Sequence, residues 1–523
     1  MNTLTLELGL GVLGLLLLVA ESFRGFKCPK DAGPLLPLCK LLEVAGRISK
    51  KGIAYVAILG LFVALILLVT GLCKCPLPDS LAGFYAVDRL ALFYKGLALI
   101  STLVVLILSL EYAPVVNQFV SAKPEQTKDA GLGEFFCLPL FVCVGMMVMA
   151  SAIDIITIFV ALELVTVSFY TLVAFLRRNA LSLEAGVKYL ILGALSTGLL
   201  VYGIAWLYGL TGETTLVGIS AKLQSWEGSV AGPLFAGALV LAGLGFKVAA
   251  VPFQIWVPDV YQGAPTPVTA FLSVGSKAAG VVVFTRVFES FVAPNSVLQA
   301  PIIQFILILA GLTIVVGNFA AVAQTNFKRL LAYSSIAHAG FILLALASRH
   351  GVVGFSPSEI AAFYLATYLP MTFICFLVMS AARAQGLSDD IVSYTGLARR
   401  CPVLAAILML ALAALAGLPF TAGFMGKMLV IYSAAYDGSY LALAMAVVGA
   451  VTGFYYYFKV ILVLYAKPEG DTPAIKLNRL SRVTMGVLAL AIIVIGVYPN
   501  AVQYVLKGKD KAAITAVTPH AQH

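Results

Sequence analysis

The sequence predicts an all-α integral membrane protein of about fourteen transmembrane helices, with two inverted five-helix repeats and a broken helix in each. Three observations lead there. Of the 523 residues, 61% are hydrophobic and only 11% charged, against about 25% charged in a soluble domain, and mean hydropathy is +1.00. Apolar segments of roughly 20 residues, the length that crosses a bilayer, recur with no gap large enough for a soluble domain. Lysines and prolines interrupt the interiors of several of these segments, which a helix packed only against lipid does not tolerate.

The spans are expected at about 3–23, 53–73, 89–112, 135–152, 154–176, 184–209, 232–262, 265–289, 301–324, 329–348, 357–382, 402–436, 439–466 and 482–499. Asp154 divides the fourth from the fifth. The opening MNTLTLELGLGVLGLLLLVAESF has no basic n-region, so it is expected to stay as the first helix and not to be removed as a signal peptide. Four parts follow: 1–134 with three helices and a basic cytoplasmic loop, 135–290 and 301–466 as the two repeats, and 467–523 as a final helix and tail.

Loop charge sets the orientation. Arg24, Lys27, Lys30, Lys40, Arg47, Lys50 and Lys51 follow the first span, and Lys123, Lys128, Arg177, Arg178, Lys328, Arg329, Arg383, Arg399, Arg400, Lys467, Lys476, Arg479 and Arg482 follow later odd-numbered ones. The other side has its densest cluster at Lys507, Lys509 and Lys511. The positive-inside rule then places both termini outside, on the periplasmic side of a bacterial inner membrane. This asymmetry accounts for the net charge of +10 with no nucleic acid as partner. The eight cysteines (Cys28, Cys39, Cys73, Cys75, Cys137, Cys143, Cys375 and Cys401) include no CxxC, so no metal or cofactor site is expected in this chain.

The seventh span holds VPF with Pro252, and the twelfth holds LPF with Pro419. Each proline lacks an N–H and is expected to free a carbonyl one turn back, at Val248 and Leu415. Lys247 precedes the first break and Lys427 follows the second. A five-helix repeat has odd parity, so spans 4–8 and 9–13 would lie in opposite orientations around broken helices.

Six lysines fall inside spans: Lys95, Lys188, Lys247, Lys277, Lys427 and Lys459, accompanied by Glu163 and His338. Each lysine at bilayer depth costs roughly 2.5–3.5 kcal/mol on insertion scales. Lys95 and Lys459 lie nearer span ends, where snorkelling to the interface accounts for them. Lys188 follows Glu184 by one helical turn and can pair locally. Lys247, Lys277 and Lys427 have apolar or small neighbours on most sides and no such explanation. Glu163, in FVALELVTVSFY, has no basic residue within a turn and needs a partner from another helix. A lysine out of water gives up its proton more readily than one in it. These residues therefore suit a proton path, with His338 in YSSIAHAGF as a further member.

The stretch GFKVAAVPFQIWVPDVYQGAPTPVTAFLSVGSK, from Gly245 to Lys277, closely resembles the signature of the antiporter-like membrane subunits of respiratory complex I, NADH–quinone oxidoreductase. Its YQGAPTPVTAFL portion looks like the N type (subunit 2 in mitochondrial naming). EAGVKYLILGALSTGLLVYG, FKRLLAYSSIAHAGF and GLPFTAGFMGK support the resemblance, which covers about residues 80–500. It implies a charged pair between Glu163 and Lys188, a central protonatable Lys247, a relay onward through Lys277 and His338, and a terminal Lys427. That last position is lysine, as in the N type, where the M type tends to carry glutamate. Gln254 stands where many relatives carry histidine.

The resemblance further implies a proton-translocating role driven by electron transfer from NADH to quinone. FMN, iron–sulfur clusters and quinone would be held by partner subunits, and the chain's neighbours in the membrane would be other membrane subunits, especially the sibling subunit M and the small subunits J and K. Multisubunit cation/proton antiporters and membrane-bound hydrogenases share the fold, but more often read PDAH where this chain has PDVYQGAPTP. A third reading, a structural spacer, leaves the cost of six lysines unexplained.

Overall fold

The computed structural model describes residues 3–23, 48–71, 83–120, 131–467 and 475–507, with residues 40, 43, 46 and 81. Most of the basic segment that begins at Arg24 lies outside them, as do Cys28, Cys39, Cys73, Cys75, Lys123, Lys128 and the tail beyond Lys507. The described residues are helical, with isolated bridges and no strand.

An N-terminal group of α1 (Thr3–Ser22), α2 (Lys50–Val69) and α3 (Arg89–Val120) precedes α4 (Leu132–Ser151), α5 (Ile155–Val173) and α6 (Ala180–Thr211). The short α7 (Leu216–Gln224) leads to the seventh span, which is α8 (Ala231–Val248) and α9 (Trp256–Gly263). The eighth is α10 (Thr266–Phe271) and α11 (Lys277–Phe291), joined by a π-helical turn over Leu272–Ser276. Next come α12 (Gln299–Val322), α13 (Phe327–Leu346), α14 (Pro357–Ala384) and the one-turn α15 (Leu397–Arg400). The twelfth span is α16 (Pro402–Ala416) and α17 (Ala422–Tyr436), followed by α18 (Tyr440–Tyr465), α19 (Arg479–Val497) and α20 (Asn500–Lys507).

Among the described residues, thirteen helical stretches are long and apolar enough to cross a membrane, one fewer than expected. The difference is the twelfth span, whose two helices have 15 residues each. At about 1.5 Å per residue neither half reaches across ~30 Å of hydrocarbon.

Burial sorts the spans. In the apolar 18-residue heart of Thr266–Phe291, Phe327–Leu346 and Pro357–Ala384, 94%, 89% and 94% of residues are buried, against 28% in those of Lys50–Val69, Ala180–Thr211 and Arg479–Val497. The first set forms the axis, and the second turns exposed Leu, Val and Tyr side chains outward.

Both expected breaks are present, and each is a helix end followed by a new start. At the first, Ala249 enters the left-handed region (φ 66°), and Ala250 N–H bonds back to Gly245 O at 2.9 Å. Pro252 therefore lies beyond the helix and does not kink a continuous one. Val251 N–H donates to Thr313 Oγ1 at 3.0 Å, anchoring the loop to α12. At the second, Gly417 (φ 98°) ends α16, and Leu418 N–H bonds Ala413 O at 3.0 Å. The π turn before Lys277 was not expected.

Asp154 separates α4 from α5 as the sequence suggested. Its backbone is extended, and its Oδ1 accepts from Ile156 N–H and Thr157 N–H at 3.0 Å each. These bonds satisfy two donors that the first turn of a helix otherwise leaves unpaired. Asp154→Ala is expected to lower stability by about 1 kcal/mol, seen as a lower thermal midpoint of the detergent-purified protein, while Asp154→Asn keeps most of it.

Candidate functional site

Lys247, Lys277, His338 and Lys427 come from four helices and are 9%, 2%, 4% and 7% exposed. Each is held by neutral groups.

α5 presents Glu163 and, nearly one turn later, Thr166. Lys247, close to the end of α8, donates to Thr166 Oγ1, and that hydroxyl donates to Leu162 O at 2.6 Å. Glu163 Oε1 accepts from Thr197 Oγ1 at 2.9 Å, and the carboxylate is within electrostatic reach of Lys247. On the other side of Lys247 stands Gly280, where an added Cβ would lie 3.4 Å from the lysine's own Cβ. Gly280 is about one turn beyond Lys277, so α8 and α11 meet between the two lysines.

Lys277 follows directly on the π turn. Its ammonium donates to Ser335 O and, at 2.5 Å, to Ser335 Oγ, and sits 5.6 Å from the centre of the Tyr368 ring. Tyr261 Oη and Ser335 Oγ are 3.3 Å apart, and Ser273 Oγ and Tyr368 Oη 2.8 Å.

Ser335 opens a stripe along α13. His338 and Phe341 follow at intervals of three, so all three share a face. His338 Nδ1 is 2.6 Å from Tyr364 Oη and its Nε2 is 3.3 Å from Tyr457 Oη. Tyr457 is bonded in turn to Ser334. A hydroxyl both donates and accepts, so these partners suit either ring tautomer. His338 is within electrostatic reach of both Lys277 and Lys427. Lys427 Nζ lies 5.7 Å from the Phe341 ring centre and donates to Leu415 O and Ala416 O, at 2.9 Å each. The carbonyl expected to be freed at Leu415 thus receives the lysine beyond the break.

The implied Glu163–Lys188 pair is not formed. Lys188 instead pairs with Glu184 at 2.7 Å, the local contact its spacing allowed, and with Asp259 at 2.8 Å. Asp259 also receives Arg329 Nη1 at 2.7 Å, tying α6, α9 and α13 together. Two carboxylates, Glu184 one turn back on α6 and Asp259 on α9, already hold Lys188. Lys95 is a second correction: it does not snorkel, is 0% exposed, and pairs with Glu7 at 2.9 Å. Lys459 is exposed, as a snorkelling residue would be. Gln254, in the turn beyond the first break, buries an Oε1 with no protein partner.

Sequence reading missed Thr166, Ser335, Asp259, Glu7 and the tyrosines at 261, 364, 368 and 457. Hydroxyl residues are ordinary in membrane helices, and only the packing of helices distant in sequence singles these out. Asp259 carried the clearest signal, inside the PDVYQGAPTP motif. Among the described residues no three His, Cys, Asp or Glu side chains gather as a metal site.

Residues 152–453 match the profile of a family described as "NADH:quinone oxidoreductase/Mrp antiporter, TM". The chain is 38% identical over 459 residues to NADH-quinone oxidoreductase subunit N of Desulforamulus reducens, covering 86% of this chain and 90% of that one. Its structure resembles a chain of respiratory complex I from Thermus thermophilus with bound aureothin, at TM-score 0.73 and 32% identity, covering 96% and 98% of the two chains. A chain of an archaeal membrane-bound sulfane sulfur reductase has the same fold, at TM-score 0.78 and 22% identity, covering 97% of each.

Lys427→Met removes a buried cation, regaining roughly 2.5–3.5 kcal/mol, and loses two charge-assisted bonds of about 1.5–3 kcal/mol each. The two lost bonds together outweigh the regained cost by about 1–2 kcal/mol. The thermal midpoint is expected to fall modestly, while hydrogen exchange at Gly417–Phe420 speeds up as the break loses its clasp. Unchanged exchange there would contradict the clasp.

Proposed function

The chain belongs to the NADH:quinone oxidoreductase/Mrp antiporter transmembrane family, and from that premise we propose that it is the N-type proton-translocating subunit in the membrane arm of an NADH–quinone oxidoreductase. One observation carries the reading. Three buried lysines and a histidine are each hydrogen-bonded to hydroxyls or carbonyls, with no carboxylate in ion-pair contact with those lysines among the described residues. Such an ammonium can give up its proton and remain as a neutral amine without stranding a partner charge.

The proposed path starts at Glu163 and Lys188. With Lys188 held by Glu184 and Asp259, the Glu163 charge acts on Lys247 unopposed. When Lys188 swings towards Glu163, that field is cancelled. A unit charge ~10 Å away at an effective dielectric of ~20 contributes about 1.7 kcal/mol, enough to change which site holds a proton. Lys247 would pass its proton across the α8–α11 contact to Lys277. The Ser335 hydroxyl, His338 and its tyrosines would carry it to Lys427 and outward. Moving one charge against ~150 mV requires about 3.5 kcal/mol, which electron transfer in partner subunits would supply.

Those partners would hold FMN, the iron–sulfur clusters and the quinone, with the subunit M, J and K types alongside this chain. The bacterial inner membrane with both termini outside is favoured by the loop charges. The two breaks, each a left-handed residue after a helix end with a lysine close by, favour residues 135–290 and 301–466 as inverted halves.

The test is NADH-driven proton uptake by inside-out vesicles holding the assembled enzyme. Lys247→Ala is expected to lower both pumping and coupled electron transfer. Full wild-type stoichiometry would sink the lysine relay. Sodium-driven pH changes with no NADH activity would assign the chain to a cation/proton antiporter.

A further inference from the structure

Among the described residues, the deepest ion pair lies outside the row just described. Glu7 on α1 and Lys95 on α3 are 1% and 0% exposed, and their charged atoms are 2.9 Å apart. Tyr85, 5% exposed, places its hydroxyl 2.5 Å from both carboxylate oxygens and from Lys95 Nζ. A plain staple between α1 and α3 needs no hydroxyl between its charges, and apolar side chains of the same volume often serve as well.

The surroundings are polar too. Tyr94 Oη, Ser151 Oγ and Asp154 Oδ2 are buried with no protein partner, a condition that bound water ordinarily relieves. Tyr85 is bridged to Ala152, and Ala86 N–H bonds Ser151 O at 2.7 Å, so these groups share one region. Asp88, three residues on from Tyr85, pairs with Arg286 at 3.0 Å. Tyr94 is within electrostatic reach of Arg286 and Glu289. Both of those residues line a cavity of about 370 Å³, with Ser220, Gln224 and Ser290. Arg286 lies on α11, the helix that begins at Lys277, roughly 13 Å further along it.

We infer that Glu7, Tyr85 and Lys95 form a second proton-holding site, branching from the lysine row along α11 and exchanging with water in the Arg286–Glu289 cavity. In its resting form the site is carboxylate, tyrosine and ammonium. An arriving proton enters at Lys95: the ammonium hands one proton to the tyrosine oxygen, the tyrosine hydroxyl hands its own to Glu7, and the amine is reprotonated. The site then holds one proton more, as carboxylic acid and ammonium, and releases it to the cavity to reset.

This rests on the transport role proposed above. The triple variant Glu7→Leu/Tyr85→Phe/Lys95→Met removes every polar group of the site and nearly keeps its volume. In the assembled enzyme, measured beside Lys247→Ala, it is expected to give normal assembly and a loss of protons moved per NADH oxidised. Full pumping in the triple variant, with pumping lost in Lys247→Ala, overturns this site alone. Failure of the triple variant to assemble marks the triad as a staple and also overturns it. Full pumping in both variants overturns the transport role, and this site with it.

Discussion

A lysine inside a bilayer has lost its water, and its three donors must find acceptors in the protein or remain unsatisfied at a cost of several kcal/mol. Much of the irregular backbone in this bundle answers that need. Lys427 takes two carbonyls that a continuous helix would have bonded to its own amides. Lys277 takes a carbonyl and a hydroxyl from α13. Lys247 takes a threonine hydroxyl from α5. The choice of neutral acceptors matters: breaking a buried ion pair costs about 3–5 kcal/mol because one charge is left stranded, whereas an amine that has given up its proton leaves only dipoles behind.

α13 makes these separate sites into one row. Its stripe of Ser335, His338 and Phe341 meets Lys277 at one end and Lys427 at the other. The stripe is held in place from behind by α12, which packs at backbone distance. An added Cβ at Gly317 would stand 2.5 Å from Ala337 N, and one at Gly340 2.7 Å from Ile314 N. Neither position has room for a side chain, so α13 is fixed against α12 and its polar stripe faces the lysines.

Much of this was legible in the sequence, for a physical reason. Hydropathy and length locate spans, and a proline or lysine inside a span is costly enough to stand out, so Lys247, Lys277, Lys427 and both breaks were visible. The twelfth span was read as one crossing interrupted at Pro419; that each of its two equally apolar halves has only 15 residues was not. The π turn at Leu272–Ser276 left no mark, since none of its residues is a helix breaker on composition. Pairing was the weakest point. Glu7 sits near the start of an apolar run and Lys95 near the start of another, 88 residues away, and each alone looks like an interfacial residue. The Glu163–Lys188 pairing failed because a motif names residues and not the state in which they are found. Asp259 competes for Lys188 only once α9 has folded back beside α6.

The account stands or falls on whether the middle of the row carries protons. Lys277 tests this most directly, because it is 2% exposed and touches neither the surface cluster around Lys188 nor the break at Lys427. The measurement is protons translocated per NADH oxidised by the assembled enzyme in proteoliposomes, with Lys277→Met against wild type. The account predicts a correctly assembled complex whose proton translocation is lost or sharply reduced. Wild-type stoichiometry in that variant would show that protons do not pass through the lysine row.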